Sequence, residues 1–264
     1  MTDAARGIAA SRDLSRRVKV ASPSDDELGT LAETFNEMLA SLDEAHRAQE
    51  RFVADASHEI RTPLAALRGG IELLEREKDP AERDVLAAHV RTEVERLSRL
   101  VEDLLALARA DAGAPAPAPV SVDLDEVVME AFADLRRIAG ARLRVREIEP
   151  VVVQGDRDRL KQLALILIDN ALRYAPGAPV EISLVRDASS AVLRVDDVGI
   201  GLSEEDVSRA FERFYRGRGA RAVDPSGSGL GLAIARGIAQ GHGGDVSIAQ
   251  RSPKGTTALA TIPM

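Results

Sequence analysis

The sequence predicts a long helical region followed by an α/β domain, and three observations carry that prediction. Apolar residues recur at spacings of three and four through residues 51–112. An alternating Ala-Pro tract, AGAPAPAPV at Ala112–Val120, then cannot continue a helix. Beyond it, short β-rich runs alternate with helical stretches to Met264. The composition is that of a folded chain, with 45% hydrophobic and 30% charged residues in 264. Cysteine is absent, which excludes disulfides, cysteine-ligated zinc and a thiol nucleophile. Aromatics are 3%, there is no Trp and the net charge is -8, so neither base stacking nor a phosphate backbone is favoured and no direct nucleic-acid partner is expected. No apolar run approaches the roughly 18 residues that span a bilayer, and MTDAARGIAA lacks the apolar segment of a signal peptide, so the chain as given is expected to be soluble.

Residues 1–50 are polar and mostly helix-forming, with a break near Lys19–Ser24 (KVASPS). In the next region Ile60, Leu64, Leu67, Ile71 and Leu74 form one stripe, and Leu86, Val90, Val94, Leu97, Val101, Leu104 and Ala108 form another. Asp79-Pro80 separates the two helices within Glu77–Glu82. They predict an antiparallel hairpin. Two helices bury too little to stand alone, so two hairpins are expected to pair as a homodimeric four-helix bundle. The Ala-Pro tract reads as a semi-rigid linker. After it, LRVREI, VEISLV, AVLRVDD, DVSIAQ and TTALATI predict the strands of the α/β domain.

His58 lies in FVADASHEIRTPLAAL, about 200° around the helix from Ile60 and about 180° from Leu67, away from the apolar stripe. Glu59 adjoins it and Thr62 shares its exposed side at i+4. Pro63 has no N–H for the carbonyl of Glu59, so strain or a kink is expected there. An exposed His beside a Glu is most often surface decoration. A neutral imidazole is also a nucleophile whose tautomer a neighbouring carboxylate can orient. No second His stands at metal-ligand spacing. Helical geometry leaves both readings open.

Four separated segments of the α/β domain carry further chemistry. LKQLALILIDNALRYAP (Leu160–Pro176) sets Asn170, Arg173 and Tyr174 on one helix face, an amide suited to a hard cation and a guanidinium suited to phosphate. VDDVGIGL holds Asp197, a possible acceptor for an exocyclic amine, with Gly199 and Gly201 permitting close approach to the backbone. FERFYRGRGARAVDPSGSG (Phe211–Gly229) combines aromatics with Arg213, Arg216, Arg218 and Arg221 and reads as a mobile anion-binding lid. GSGLGLAIA (Gly227–Ala235) is a glycine run opening a helix, whose amides favour phosphate. Each is weak alone. Neither GxxxxGK[ST] nor an early GxGxxG is present.

In this order the segments resemble those of the sensor histidine kinases of two-component signalling. SHEIRTPL is similar to the family's phosphoacceptor motif, IDNALRYAP to its asparagine box, DVGIG and GSGLGLAIA to its glycine boxes, FERFYRG to its aromatic box, and SPKGTTALATI to its terminal Gly-Thr motif. Residues 1–50 resemble a HAMP signalling linker whose first helix is cut short, with DELG (Asp26–Gly29) at the entry to its second. The resemblance implies a partial HAMP linker at 1–47, a dimerisation and phosphotransfer domain at 48–112, a linker at 113–119, and at 120–264 an α/β sandwich of the gyrase, chaperone and histidine-kinase type. It implies ATP and Mg²⁺ as cofactors, with Asn170 on the metal, Asp197 on the adenine amine, Tyr174 beside the base, and Arg173 and Arg216 on phosphates. Gly199 and Gly201, with Gly227, Gly229, Leu230 and Gly231, would border the nucleotide. His58 would take the γ-phosphoryl group, Glu59 would act as base, and Thr62 would serve dephosphorylation of a partner response regulator. A cytoplasmic portion of a bacterial membrane sensor, attached through an upstream transmembrane segment, is the implied setting. The family often has a second Asn four residues before its metal ligand. Ile166 stands there, which implies modest Mg²⁺ affinity or autokinase rate and argues against simple ATP hydrolysis. A nucleotide-gated scaffold without chemistry is the competing class.

Overall fold

The computed structural model describes residues 27–111, 120–224, 227–251 and 254–264. The break near Lys19–Ser24, the first HAMP helix and the 113–119 linker lie outside the described residues. The chain divides into two compact units, Met1–Arg61 and Thr62–Met264. Helix α1 (Glu27–Arg76) begins in the first and continues through Pro63 into the second. Pro63, where strain or a kink is expected, lies inside the helix. Before the proline, the Ser57 hydroxyl donates to the carbonyl of Val53 at 2.7 Å, one turn back along the helix.

In the second unit the rest of α1 turns into α2 (Pro80–Asp111) at the expected place. The Glu77 carboxylate accepts from the amides of Lys78 and Asp79 at 2.8 and 2.9 Å, and Asp79 Oδ1 accepts from Ala81 at 2.9 Å. Asp79 thus acts as an N-cap with proline at the first helical position, where a missing N–H costs nothing. At Gly70 a Cβ would stand 2.8 Å from Val90 Cγ2, so glycine lets the two helices approach. Leu64, Ile71 and Val94 of the predicted stripes remain 50%, 49% and 47% exposed. The most buried residues of α2 are instead Leu100 and Leu107, which lie outside the predicted stripe.

The α/β domain pairs a five-stranded sheet, ordered β2-β4-β5-β7-β6, with three long helices. Its strands are β2 (Leu143–Ile148), β4 (Val180–Asp187), β5 (Ser190–Asp197), β6 (Asp245–Gln250) and β7 (Thr256–Pro263). β2 runs parallel to β4, and the other neighbours are antiparallel. A small antiparallel ladder joins β1 (Val120–Asp123) to β3 (Val152–Gly155). Helices α3 (Leu124–Ala139), α4 (Arg157–Tyr174) and α7 (Gly231–Gly241) bury one stripe each. Alternation along the strands sends Ile182, Leu184, Leu193, Val195, Ala260 and Ile262 into the core, where α4 supplies Leu163, Leu167 and Ile168. Each such side chain contributes about 1.5–3 kcal/mol by leaving water. Two short helices, α5 (Glu204–Arg209) and α6 (Arg218–Val223), lie in the loop between β5 and α7. The turn after β5, the C-terminal end of α4 and the start of α7 come together, as the close approaches below show.

Candidate functional site

Helix α4 is the site's axis. Asp156 caps it, accepting from the amides of Asp158 and Arg159 at 3.0 and 3.1 Å, and its apolar stripe fixes its rotation against the sheet. That rotation leaves Ile166, Asp169, Asn170, Arg173 and Tyr174 half-buried. Ile166 Cγ2 lies 3.4 Å from where a Cβ on Gly231 would stand, so this side of α4 faces the start of α7. Asn170, one turn further on, shares that side. Arg173 Nη2 donates to Asp169 Oδ2 at 2.6 Å and Nη1 to Asp224 Oδ2 at 2.9 Å. Burial works against the Arg173 charge, but the two carboxylates outweigh it and raise the guanidinium pKa.

The end of α4 meets the turn after β5. Ile200 N–H donates to the carbonyl of Tyr174 at 3.2 Å, and a Cβ on Gly199 would fall 2.2 Å from the same oxygen. Gly199 is thus required by backbone approach. Asp197 is 5% exposed, and its Oδ1 accepts from the amides of Gly199 and Thr256 at 2.7 and 3.2 Å. Burial raises its pKa despite those bonds. Its neighbour Asp196 is held below the usual carboxylate range. Burial opposes that charge too, but Arg194 at 2.7 Å and the Thr257 hydroxyl overcome it. Successive strand residues point to opposite faces, so two adjacent aspartates acquire opposite electrostatics. Gly255, at φ 116°, would place a Cβ 2.1 Å from the Asp197 carbonyl, which ties the Gly-Thr motif to the same turn.

The lid segment has defined anchors. Phe214 (φ 62°) donates its N–H to the carbonyl of Gly229 (φ 72°) at 3.0 Å, joining aromatic and glycine segments. The Tyr215 hydroxyl donates to Asp206 at 2.9 Å, and the Arg209 guanidinium lies 4.1 Å from its ring centroid. Arg236 lies 4.8 Å over Phe211. Arg216 donates to the carbonyls of Ala220 and Asp224 at the end of α6. A Cβ on Gly227 would meet Asp224 Oδ2, the Tyr174 hydroxyl and Arg216 Cζ at 3.1, 3.3 and 3.5 Å. Leu230 is fully buried beneath this loop, its N–H donating to the Ser228 hydroxyl at 3.3 Å.

Asn170, Arg173, Tyr174, Asp197, Gly199, Gly201, Arg216, Gly227, Gly229, Leu230 and Gly231 therefore lie on elements that meet within the second unit. Exposed His58 and half-buried Glu59 belong to the first, and Thr62 to α1 where it enters the second. Sequence reasoning missed Asp103, Asp169 and Asp224. Ser228 Oγ donates to Asp103 Oδ2 at 2.8 Å, linking α2 to the glycine segment. Burial raises the Asp103 pKa, partly offset by Ser228 and the charge of Arg173. Its spacing from Leu100 and Leu107 was the available signal, an acidic residue flanked on one helical face by leucines. Among the described residues no cluster of His, Asp and Glu could hold a metal ion by itself.

The sequence matches three families in succession: the HAMP domain over residues 1–44, the His Kinase A (phospho-acceptor) domain over 48–113, and the histidine kinase-, DNA gyrase B-, and HSP90-like ATPase over 155–264. The chain belongs to the sensor histidine kinases of two-component systems. Among sensor kinases of this family, it is 40% identical to the sensor protein CutS of Streptomyces coelicolor over 269 residues, which cover 100% of this chain and 64% of that protein. It is 40% identical to the signal transduction histidine-protein kinase/phosphatase MprB of Mycobacterium tuberculosis, over 97% of this chain and 51% of that one. The solved structure of the Acinetobacter baumannii histidine kinase AdeS superposes with a TM-score of 0.63 at 27% identity, covering 78% of this chain and 98% of that one. The chain thus spans from about half to about two-thirds of the curated relatives' length. Ile166, expected to stand in place of a second Asn, packs at the seam between α4 and the start of α7. No helix among the described residues is long and apolar enough to cross a membrane.

Proposed function

We propose that this chain carries out ATP-dependent autophosphorylation of His58 and passes the phosphoryl group to an aspartate of a separate response-regulator receiver domain. The observation that supports this best is the convergence of the four motif segments around Arg173, Arg216, Tyr174 and Gly227. The residues on these segments suit a nucleoside triphosphate: the buried Asp197 carboxylate for an amine, the half-buried Asn170 amide, two guanidinium groups and a glycine backbone that ligand atoms can approach. Asp197 would accept from the adenine amine, and Tyr174 would flank the base. Arg173 and Arg216 would meet phosphate oxygens, and Asn170 would hold Mg²⁺, which supplies charge neutralisation when bound. In the transfer, His58 Nε2 forms a bond to the γ-phosphorus as the bond to the bridging oxygen breaks, releasing ADP, while Glu59 accepts the Nδ1 proton. Thr62 would position water for dephosphorylating the regulator, in keeping with the kinase/phosphatase activity in the name of MprB. The same reading takes residues 1–47 as the signalling linker, 48–112 as a homodimerising phosphotransfer domain and 120–264 as the catalytic domain, on the cytoplasmic side of a membrane.

The test is incubation with labelled ATP and Mg²⁺, wild type beside His58→Ala, followed by acid treatment. Acid-labile label in wild type alone is expected. Equal labelling of both proteins, or ATP binding without any label, would overturn the assignment of His58 and favour a nucleotide-gated scaffold.

A further inference from the structure

The two arginines assigned to phosphate already hold oxygen acceptors from the lid, a carboxylate at Arg173 and backbone carbonyls at Arg216. Arg173 is bracketed by Asp169 and Asp224, whose side chains are 48% and 12% exposed, so Asp224 is the inner partner. Arg216 is turned onto the carbonyl oxygens of Ala220 and Asp224 that close α6, so one lid residue reaches both guanidinium groups, one by its side chain and the other by its backbone. The carboxylate sits directly against the glycine segment, 3.1 Å from where a Cβ on Gly227 would stand. Phosphate oxygens bound by Arg173 and bordered by Gly227 would need that space, and a guanidinium already flanked by Asp169 and Asp224 would then face a third anion, with strong repulsion between phosphate and the Asp224 carboxylate.

We propose that Asp224 is a built-in competitor for phosphate: its carboxylate and the carbonyls ending α6 occupy Arg173 and Arg216, and a triphosphate binds by displacing them. This rests on the ATP-binding reading above. Apparent affinity is the intrinsic affinity reduced by the fraction of molecules with the arginines released. The latch therefore weakens binding of the phosphate portion alone. Adenosine, which lacks phosphates, does not contend with it. The lid helix then opens only for a ligand that supplies the replacing charge.

Calorimetric titration of the full chain with ATP and Mg²⁺, and separately with adenosine, tests this. Asp224→Asn is expected to bind ATP roughly tenfold more tightly, with adenosine affinity unchanged and Asp224→Glu close to wild type. Unchanged or weaker ATP binding by Asp224→Asn, with adenosine binding retained, would overturn the proposal while leaving the ATP site intact. A wild-type chain that binds neither ligand would remove the ATP-binding reading itself. Hydrogen exchange of the wild type guards against a misfolded variant. ATP should reduce protection of the Asp224 amide, which donates to Ala220 at 3.0 Å, and unchanged or increased protection would count against displacement.

Discussion

Leu163 and Leu167 in the α/β domain are 2% and 1% exposed, whereas Leu64 and Ile71 on α1 are 50% and 49% exposed. The residue types are alike, so the difference lies in what surrounds them. Three helices over a five-stranded sheet enclose both sides of each core side chain. A hairpin has only one neighbour to offer each helix. The α/β domain therefore closes its core within one chain, while the hairpin keeps an apolar face that a second copy can cover. One bundle helix also contributes to both arrangements, since α2 turns Leu100, Asp103 and Leu107 inward and leaves Val94 and Val101 on its outer face.

Truncating each region should separate these two kinds of stability. Leu167→Ala should cost about 2–5 kcal/mol, read as a lower thermal midpoint that does not vary with protein concentration. Ile71→Ala should cost less and act mainly through association, shifting the monomer–dimer midpoint in sedimentation while the α/β transition stays put. An Ile71→Ala effect independent of concentration would break the comparison.

Asp197 should show a smaller effect with a definite pH signature. Its folded-state pKa is raised by burial, so its contribution to stability is full below the ordinary carboxylate range and is lost as pH rises through the folded value. Asp197→Asn should raise the thermal midpoint at pH 7 by a few degrees, a gain that disappears as the pH falls below that range. The same change should weaken ATP binding by about tenfold or more, because an amide that keeps the Gly199 and Thr256 bonds lacks the carboxylate's charge. A midpoint that falls at pH 7 would show that the charge is stabilising after all.

Asp103 should give the smallest shift. Burial raises its pKa as well, so its net contribution to stability is full at low pH and is lost as pH rises through the folded-state value, although the Ser228 bond itself favours the ionised carboxylate. Asp103→Asn should stabilise the second unit at pH 7 by less than the Asp197 change does, with no effect at low pH. A drop in the thermal midpoint at pH 7 that vanishes at low pH would instead mean that the carboxylate charge holds α2 in place, through Arg173.

Much of this was legible in the residues themselves. The Asp79-Pro80 turn follows from a cap and a proline acting within a few residues, so its place needed no tertiary information. The strand alternation and the apolar stripe of α4 are also local periodicities. Gly199 and Gly229 stood out by type, but their necessity comes from the Tyr174 and Phe214–Tyr215 backbones that crowd them. At Pro63 the missing N–H predicts strain or a kink rather than a helix end, and α1 runs on across the proline.

The sequence by itself determined the order of the elements, the hairpin, the sheet and the residue types available to a nucleotide site, because each depends on patterns a few residues long. Only the tertiary structure decided which face of α2 is most buried, that Asp103 meets Ser228, and that Asp224 closes on Arg173 across 51 positions. Those pairings depend on how helices and loops pack across the fold, and a carboxylate in a polar loop carries no periodic mark of the arginine it will reach.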